Sequence, residues 1–498
     1  MGRAGRGAAI LADGGNATSL RTQAASGVKW TSASMLTTTI VGVVQLAVLT
    51  RLLSRADFGL MAMIVTVVGF AQVYADMGFS GAIIYRQDAT RDQLSTLYWT
   101  NLVVSFGLFL VVAASSPFVA AFFHQPGLRR PMLWASLLFL VTPFGQQFQM
   151  LLQKDLLFKR LGLIEITSSL LGLAVAVASG IAHQGVYALI WAQLASATAK
   201  ATLLAAYGWR HWRPRFHVRF ADLKGYIGFG AYQMGERSIY YWAANIDYLL
   251  IGRFLGAAPL GLYTIAFQLV VVPVNKLSPV LTRVAFPVFS KRQHDDAALR
   301  RGYCDLIQLV AFASFPLLIG LAATGPVAVK AIFGAAWLPS VILVRLLVPM
   351  GMLMAIGSPS GSLYLAKGRA DLGFWYNVVN TAVIVAALYA AVHYGTRAVS
   401  ASQSLVALVM TPLELYLLWW VSRLRPLAYL RCLAMPALCS GIMGACVFAT
   451  YLGARSLLPA SACLALLVVE GIAVYVALWS LLRREYIPDL WRLLRARG

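Results

Sequence analysis

The chain has 498 residues, of which 60% are apolar and 12% charged, with a mean hydropathy of +0.73. An ordinary soluble domain is about half apolar and a quarter charged, so a soluble globular fold is excluded. The 41 lysines and arginines outnumber 18 acids and leave a net charge of +23, which in so apolar a chain points to anionic lipid headgroups and not to nucleic acid.

Residues 1–28 are basic and rich in alanine and glycine without a long apolar core, the pattern of an unstructured cytoplasmic tail and not of a signal peptide. Each crossing of a bilayer takes about 20 apolar residues. By that measure helices are predicted near 30–50, 58–78, 95–115, 132–152, 161–182 and 185–207, a first bundle of six within 29–207. A basic cytoplasmic linker follows at 208–224. Further helices are predicted near 225–249, 260–281, 303–323, 340–363, 373–393 and 398–421, a second bundle of six within 225–421. Two extra helices, near 434–452 and 460–481, precede a basic cytoplasmic tail at 482–498. The predicted fold class is therefore an all-α polytopic membrane protein of 14 spans, with 12 as the alternative count.

Lysine and arginine accumulate on the cytoplasmic side of membrane proteins. With the first tail assigned to the cytoplasm, 29 of the 41 basic residues fall in cytoplasmic connectors and tails, eight fall opposite, and four lie inside spans. Both termini are thus expected in the cytoplasm. The longest connectors, 208–224 and 282–302, are too short to hold a folded catalytic domain, which argues for a transporter and against an enzyme.

No Gly-x-x-x-x-Gly-Lys-Ser/Thr loop is present, so no ATPase engine is expected. The five cysteines lie in or beside apolar runs without a CxxC pair, and the six histidines are scattered, so neither a disulfide framework nor a metal site is expected. No cofactor is implied.

TRLLSRADFGLMAM at 50–63 aligns without gaps on GRFLGAAPLGLYTI at 252–265. Arg51 meets Arg253, Leu53 meets Leu255, Gly59 meets Gly261 and Leu60 meets Leu262. The constant offset spans six predicted helices. An even number brings both copies into the membrane the same way round, as parallel repeats whose substrate path runs between the halves.

The seventh predicted span, containing QMGERSIYYWAANIDYLLIGRFLG at 233–256, carries Glu236, Arg237 and Asp247. Measured from Gly225, the first two lie about 17 Å deep, near the middle of the bilayer core. Glu236, Tyr240 and Asp247 form one stripe, and Arg237, Tyr241 and Tyr248 form the next. A charge at that depth needs water or a partner, so two readings stay open: the wall of a water-filled cavity, or a Glu/Arg pair locking one helix to another. In the eighth span Gln268 and Asn275 share a face, Pro273 supplies a kink, and Lys276 reaches either the cavity or the interface. Asp76, in the last turn of the second span, is a candidate ion-coupling carboxylate or a plain interfacial one. Glu414 and Glu470 lie deep, with partners the sequence does not reveal.

DYLLIGRFLG at 247–256, followed by Leu260-Gly261-Leu262-Tyr263 and Ala266, resembles the signature of lipid-linked oligosaccharide flippases in the multidrug/oligosaccharidyl-lipid/polysaccharide exporter superfamily. RLLSRADFGL at 51–60 is similar to that family's first connector. The resemblance extends over the first twelve spans and is closest to exporters of the colanic-acid and xanthan type. It implies two six-helix bundles that move an undecaprenyl-diphosphate-linked repeating unit between leaflets of the bacterial inner membrane by alternating access. It also implies cationic cavity residues for the diphosphate, a role that suits Arg237 and Lys276, with Tyr240, Tyr241, Gln268 and Asn275 toward the sugars. Glu236, Asp247 and Asp76 are the candidates for gating or ion coupling. Where the family has a densely basic first span, this chain offers only Lys29. Expected partners are the lipid-linked substrate, membrane lipids, and a polysaccharide polymerase with its export machinery. The competing readings are a cation-coupled multidrug antiporter and a membrane-embedded glycosyltransferase or polymerase.

Overall fold

A chain that crosses hydrocarbon must pair its backbone N–H and C=O groups internally, which leaves helices as the economical solution for so apolar a sequence. The computed structural model describes residues 4–75, 90–223, 227–282, 289–290 and 295–482, and among the described residues the regular structure is helical with no strand. The order is α1 (Ala4–Leu52), α2 (Arg55–Ala75), α3 (Arg91–Phe122), α4 (Arg129–Ser136), α5 (Leu138–Lys154), α6 (Phe158–Ile181), α7 (Val186–Gly208) and α8 (Ile227–Leu255). Then come α9 (Ala257–Thr282), α10 (Asp296–Ile332), α11 (Ser340–Gly357), α12 (Ser360–Ala366), α13 (Ala370–Val392), α14 (Thr396–Ser422), α15 (Pro426–Ala454) and α16 (Ala460–Leu482).

Twelve helical segments among the described residues are long and apolar enough to cross a membrane. The protein is a multi-pass membrane protein. Two of the fourteen predicted stretches fall outside that set. The one near 132–152 is divided at Leu137 into α4 and α5, both short. The one near 225–249 is helical within α8 but is diluted by its Glu, Arg, Asn, Asp and tyrosines. The helix of α1 begins at Ala4, inside the stretch expected to be an unstructured tail.

Packing divides the chain into two units, Met1–Asn245 and Ile246–Gly498, so that the division falls inside α8 and not in the 208–224 linker. In the first unit α6 is held between α1 and α7. Its buried face repeats Ser168, Gly172, Ala176 and Gly180 at every fourth residue. Small residues at that spacing let backbones approach, which supplies the dispersion contacts that lipid cannot. A Cβ on Gly172 would stand 2.9 Å from Cβ of Ser196 on α7.

The basic linker is an ordered strap across the first turns of α3. Ser95 Oγ accepts from Arg215 N at 3.0 Å, Trp99 Nε1 donates to the Arg215 carbonyl at 2.8 Å, and Trp99 stacks on Phe216 with centroids 4.7 Å apart. The Thr96 hydroxyl sits 3.2 Å from the His217 carbonyl and 3.0 Å from Asp222 Oδ2, which also pairs with His217 Nε2 at 2.9 Å. A cavity of about 370 Å³ opens here, lined by Arg91, Arg210, Arg213 and Arg215 together with Trp209 and His211.

In the second unit α10 packs on α11, α15 and α16, while α11 packs on α9 and α14. The C-terminal pair is fastened by aromatic side chains. Cys463, Leu467, Gly471, Tyr475 and Trp479 recur every fourth residue on the buried face of α16. Tyr475 donates to the Phe312 carbonyl at 2.9 Å, and Trp479 meets the Phe312 ring at 4.9 Å.

The repeat seen in the sequence recurs as a local structure, a helix, a break of one or two residues and a second helix. In the first copy Ser54 and Asp57 cap each other across the break, with Ser54 N donating to Asp57 Oδ2 at 2.9 Å and Asp57 N to Ser54 Oγ at 3.3 Å. In the second copy the break is the single residue Gly256.

Two outcomes follow from this packing. Gly172→Leu should overpack the α6–α7 contact and lower stability by about 1–3 kcal/mol, measured as an earlier thermal transition of the purified protein in detergent. Thr96→Val should loosen the strap by about 1 kcal/mol, measured as faster tryptic cleavage at Arg213, Arg215 or Arg219.

Candidate functional site

The polar helix α8 belongs to both units, and its two halves are built differently. In the first unit, Glu236 and Arg237 are exposed about 14 Å along the helix from Ile227. Tyr240 is 75% exposed. Adjacent helical residues do not face each other, so Glu236 and Arg237 present their charges on separate lines of the same open side.

The next register of that half is anchored. Tyr241 is half-buried, and its hydroxyl lies 3.1 Å from each of the Val65 and Thr66 carbonyls of α2. Those carbonyls already serve the α2 helix and accept through their second lone pair. The close approach requires glycine at position 69, because a Cβ there would collide with the Tyr241 hydroxyl. Phe70 fills the rest of the contact, 4.9 Å from the Trp242 ring and 6.3 Å from the Tyr241 ring. Ser238 extends it to the Tyr74 hydroxyl at 3.0 Å. An open charged face is thereby held in register by a neighbouring aromatic one.

In the second unit, Asp247 is 2% exposed and is the centre of a hydrogen-bonded knot. Tyr263 Oη of α9 donates to its Oδ2 at 2.7 Å, and the backbone N–H of Tyr248 donates to its Oδ1 at 2.9 Å. Gln403 Nε2 approaches from α14 at 3.5 Å. The carboxylate thus ties α8, α9 and α14 together. Farther along α9, Gln268 is half-buried while Asn275 and Lys276 are exposed.

Of the residues singled out in the sequence, the structure groups Glu236, Arg237, Tyr240 and Tyr241 on one half of α8. Asp247 stands apart in its knot, and Gln268, Asn275 and Lys276 lie on α9. Arg237 and Lys276 belong to different units. Asp76 lies outside the described residues. Tyr263 and Gln403 were not foreseen as partners of Asp247, nor Gly69, Phe70 and Tyr74 as the seat of Tyr241. One signal was available: Asp247 and Tyr263 are the first and last residues of the quoted DYLLIGRFLG…LGLY stretch, and they are hydrogen-bonded to each other.

Comparison with known proteins places this architecture. Residues 48–342 match the family model described as polysaccharide biosynthesis protein. The teichuronic acid biosynthesis protein TuaB of Bacillus subtilis (strain 168) is 37% identical, over 96% of this chain and 99% of that protein. The lipopolysaccharide biosynthesis protein WzxC of Escherichia coli (strain K12) is 33% identical, over 74% of this chain and 75% of its own length. Among solved structures, lipid II flippase MurJ in an inward closed conformation superposes with a TM-score of 0.73 over 92% of this chain and 99% of its own, at 14% identity, a likeness of fold. By family model and by near full-length relatives, the chain belongs to the polysaccharide biosynthesis protein family.

Proposed function

We propose that the protein is a flippase, a transporter and not an enzyme, that carries undecaprenyl-diphosphate-linked oligosaccharide repeating units across the bacterial inner membrane for exopolysaccharide biosynthesis. Family membership supports the reading, together with relatives whose names tie them to teichuronic acid and lipopolysaccharide biosynthesis. The fold it shares with MurJ is compatible with it. The observation that carries it is the exposed pair Glu236 and Arg237 on a helix between apolar spans.

The physical task is desolvation. A diphosphate with sugars attached would cost tens of kcal/mol to bring into dry hydrocarbon in the simple limit, and a hydrated polar face removes most of that cost. Arg237 and Lys276 supply positive charge for the diphosphate on α8 and α9. Tyr240 offers an open ring to a sugar face, and Gln268 and Asn275 offer hydrogen bonds to sugar hydroxyls. Tyr241, bonded to α2, fixes the helix that presents them. Glu236, Asp247 and Asp76 are the acids for gating or ion coupling. The excess of basic residues in alternate connectors supports cytoplasmic termini, and the arginine-lined cavity at the strap suits anionic lipid headgroups. A polymerase and export machinery would take the delivered units.

The deciding measurement is the leaflet on which finished lipid-linked units accumulate when the protein is removed. Complete units stranded on the cytoplasmic leaflet are expected. Shortened or altered glycans would instead indicate a glycosyltransferase or polymerase, and lost drug efflux an antiporter. A charge-assisted hydrogen bond is worth about 1.5–3 kcal/mol, so Arg237→Ala should lower polymer export about tenfold or more while the protein stays at its normal level in the membrane. Full export by that variant removes Arg237 from the mechanism.

A further inference from the structure

The second unit holds another carboxylate in a setting that the proposed cargo does not explain. Glu414 lies on α14, two residues after Pro412 and about 12 Å from the helix end at Ser422. Hydroxyl groups from three other helices surround it. Ser360, the first residue of α12, donates to Glu414 Oε1 at 2.7 Å, and Tyr376 of α13 bonds to the same carboxylate. Tyr303 of α10 lies 2.9 Å from Ser360 Oγ.

While Glu414 is ionised, the direction of these bonds is set. An ionised carboxylate only accepts, so Ser360 gives its proton to Glu414 and must accept from Tyr303. One polar group is left over. Tyr364, a turn beyond Ser360 on α12, is 3% exposed, its hydroxyl has no hydrogen-bond partner, and it lies within electrostatic reach of Glu414. Tyr429 of α15 completes the wall, with its ring 6.4 Å from that of Tyr303.

What the cluster lacks is positive charge. Among the described residues no lysine, arginine or histidine pairs with Glu414. Of the cations on and around α14, Lys367 pairs with Asp296 at 2.6 Å, Arg369 with Asp371 at 2.8 Å, Arg300 with the Ser422 carbonyl and Arg345 with the Ala322 carbonyl, while Arg301, Lys330, Arg397 and Arg431 are exposed. On α9, Lys276 is exposed and Tyr263 serves Asp247. The free thiols of Cys304 on α10 and Cys432 on α15 face each other. A carboxylate held among hydroxyls within a membrane span, without a counter-cation, sheds its charge most simply by taking a proton.

We propose that Glu414 is a proton-binding site, with the hydroxyl chain rearranging as the proton is taken up and released. The carboxylate gains one proton and no other bond breaks. The resulting acid is a donor, and Ser360 Oγ, 2.7 Å from Glu414 Oε1, can turn to accept from it. Ser360 is then free to turn its own proton elsewhere, at the start of α12, immediately after the break in the chain at Ser358 and Pro359. The hydroxyl hydrogens converge on the carboxylate, whereas a bound metal ion calls for converging lone pairs. The site is independent of what the protein carries.

The test is infrared difference spectroscopy of the purified full-length protein in liposomes across a pH series, without substrate. A protonated-carboxyl band should appear on acidification and be absent in Glu414→Gln, whose melting transition should match that of the wild type. Tyr376→Phe removes a donor that favours the charged form, so it should raise the pH at which the band appears, and this variant serves even if Glu414→Gln does not fold. A band unchanged in Glu414→Gln, an unmoved midpoint in Tyr376→Phe, or a band that follows sodium at fixed pH would each overturn the assignment.

Discussion

In an apolar chain of this kind, polar side chains have to find their partners within the protein, because the surrounding lipid offers none. That constraint accounts for the placement of most acids in the spans. Glu165 of α6 accepts from Ser34 of α1 at 2.7 Å and faces Lys200 of α7 at 3.8 Å. Glu470 of α16 accepts from Thr450 of α15 at 2.8 Å. Asp247 is knotted to Tyr263. Each of these acids joins two or three helices, so the polar minority of the sequence fixes which helices are neighbours. Long apolar side chains, content against lipid or protein alike, add less to that choice than the small-residue face of α6 and the aromatic face of α16.

Against that background the exposure of Glu236 and Arg237 stands out. The acids Glu165, Asp247 and Glu470 each have a hydroxyl, amide or opposite charge at or near bonding distance. Glu236 and Arg237 are presented outward by a helix whose adjoining register is fixed on α2. The contrast between the halves of α8, open charge before Asn245 and a buried carboxylate after it, coincides with the point where packing divides the chain. A single helix thus carries an open charged face in one unit and a buried tie in the other.

Much of the architecture was legible in the sequence because it depends on long-range averages. Spans, polytopic class and the helix–break–helix repeat follow from hydropathy and from one gapless alignment. What escaped depends on single side chains meeting across helices. The stretch at 132–152 has the length and apolarity of a span, yet its break at Leu137 has no proline or glycine at the junction to announce it. Asp247 lies eleven residues beyond Glu236 on the same helix, and its position along that helix is equally compatible with burial or exposure. Only the phenol of Tyr263, sixteen residues on, decides in favour of burial. The partners of Glu414 are more remote still, drawn from α10, α12 and α13, and no periodicity within α14 encodes them.

The repeat shows where the two units part company chemically. Carrying the 202-residue offset (50 onto 252) outward from the aligned stretch sets Gln45 against Asp247 and Met61 against Tyr263. The first copy therefore has neither the carboxylate nor the phenol, and stabilises its break locally through Ser54 and Asp57. The second copy leaves its break to Gly256 and invests the acid in a tie between helices. A local cap can hold its turn whatever the neighbouring helices do, because both of its members lie within four residues. A carboxylate that joins α8, α9 and α14 cannot: if any one of them shifts, a buried charge loses a donor, at a cost of about 1–3 kcal/mol. Of two segments built on one pattern, only the second has been made sensitive to how its neighbours are arranged.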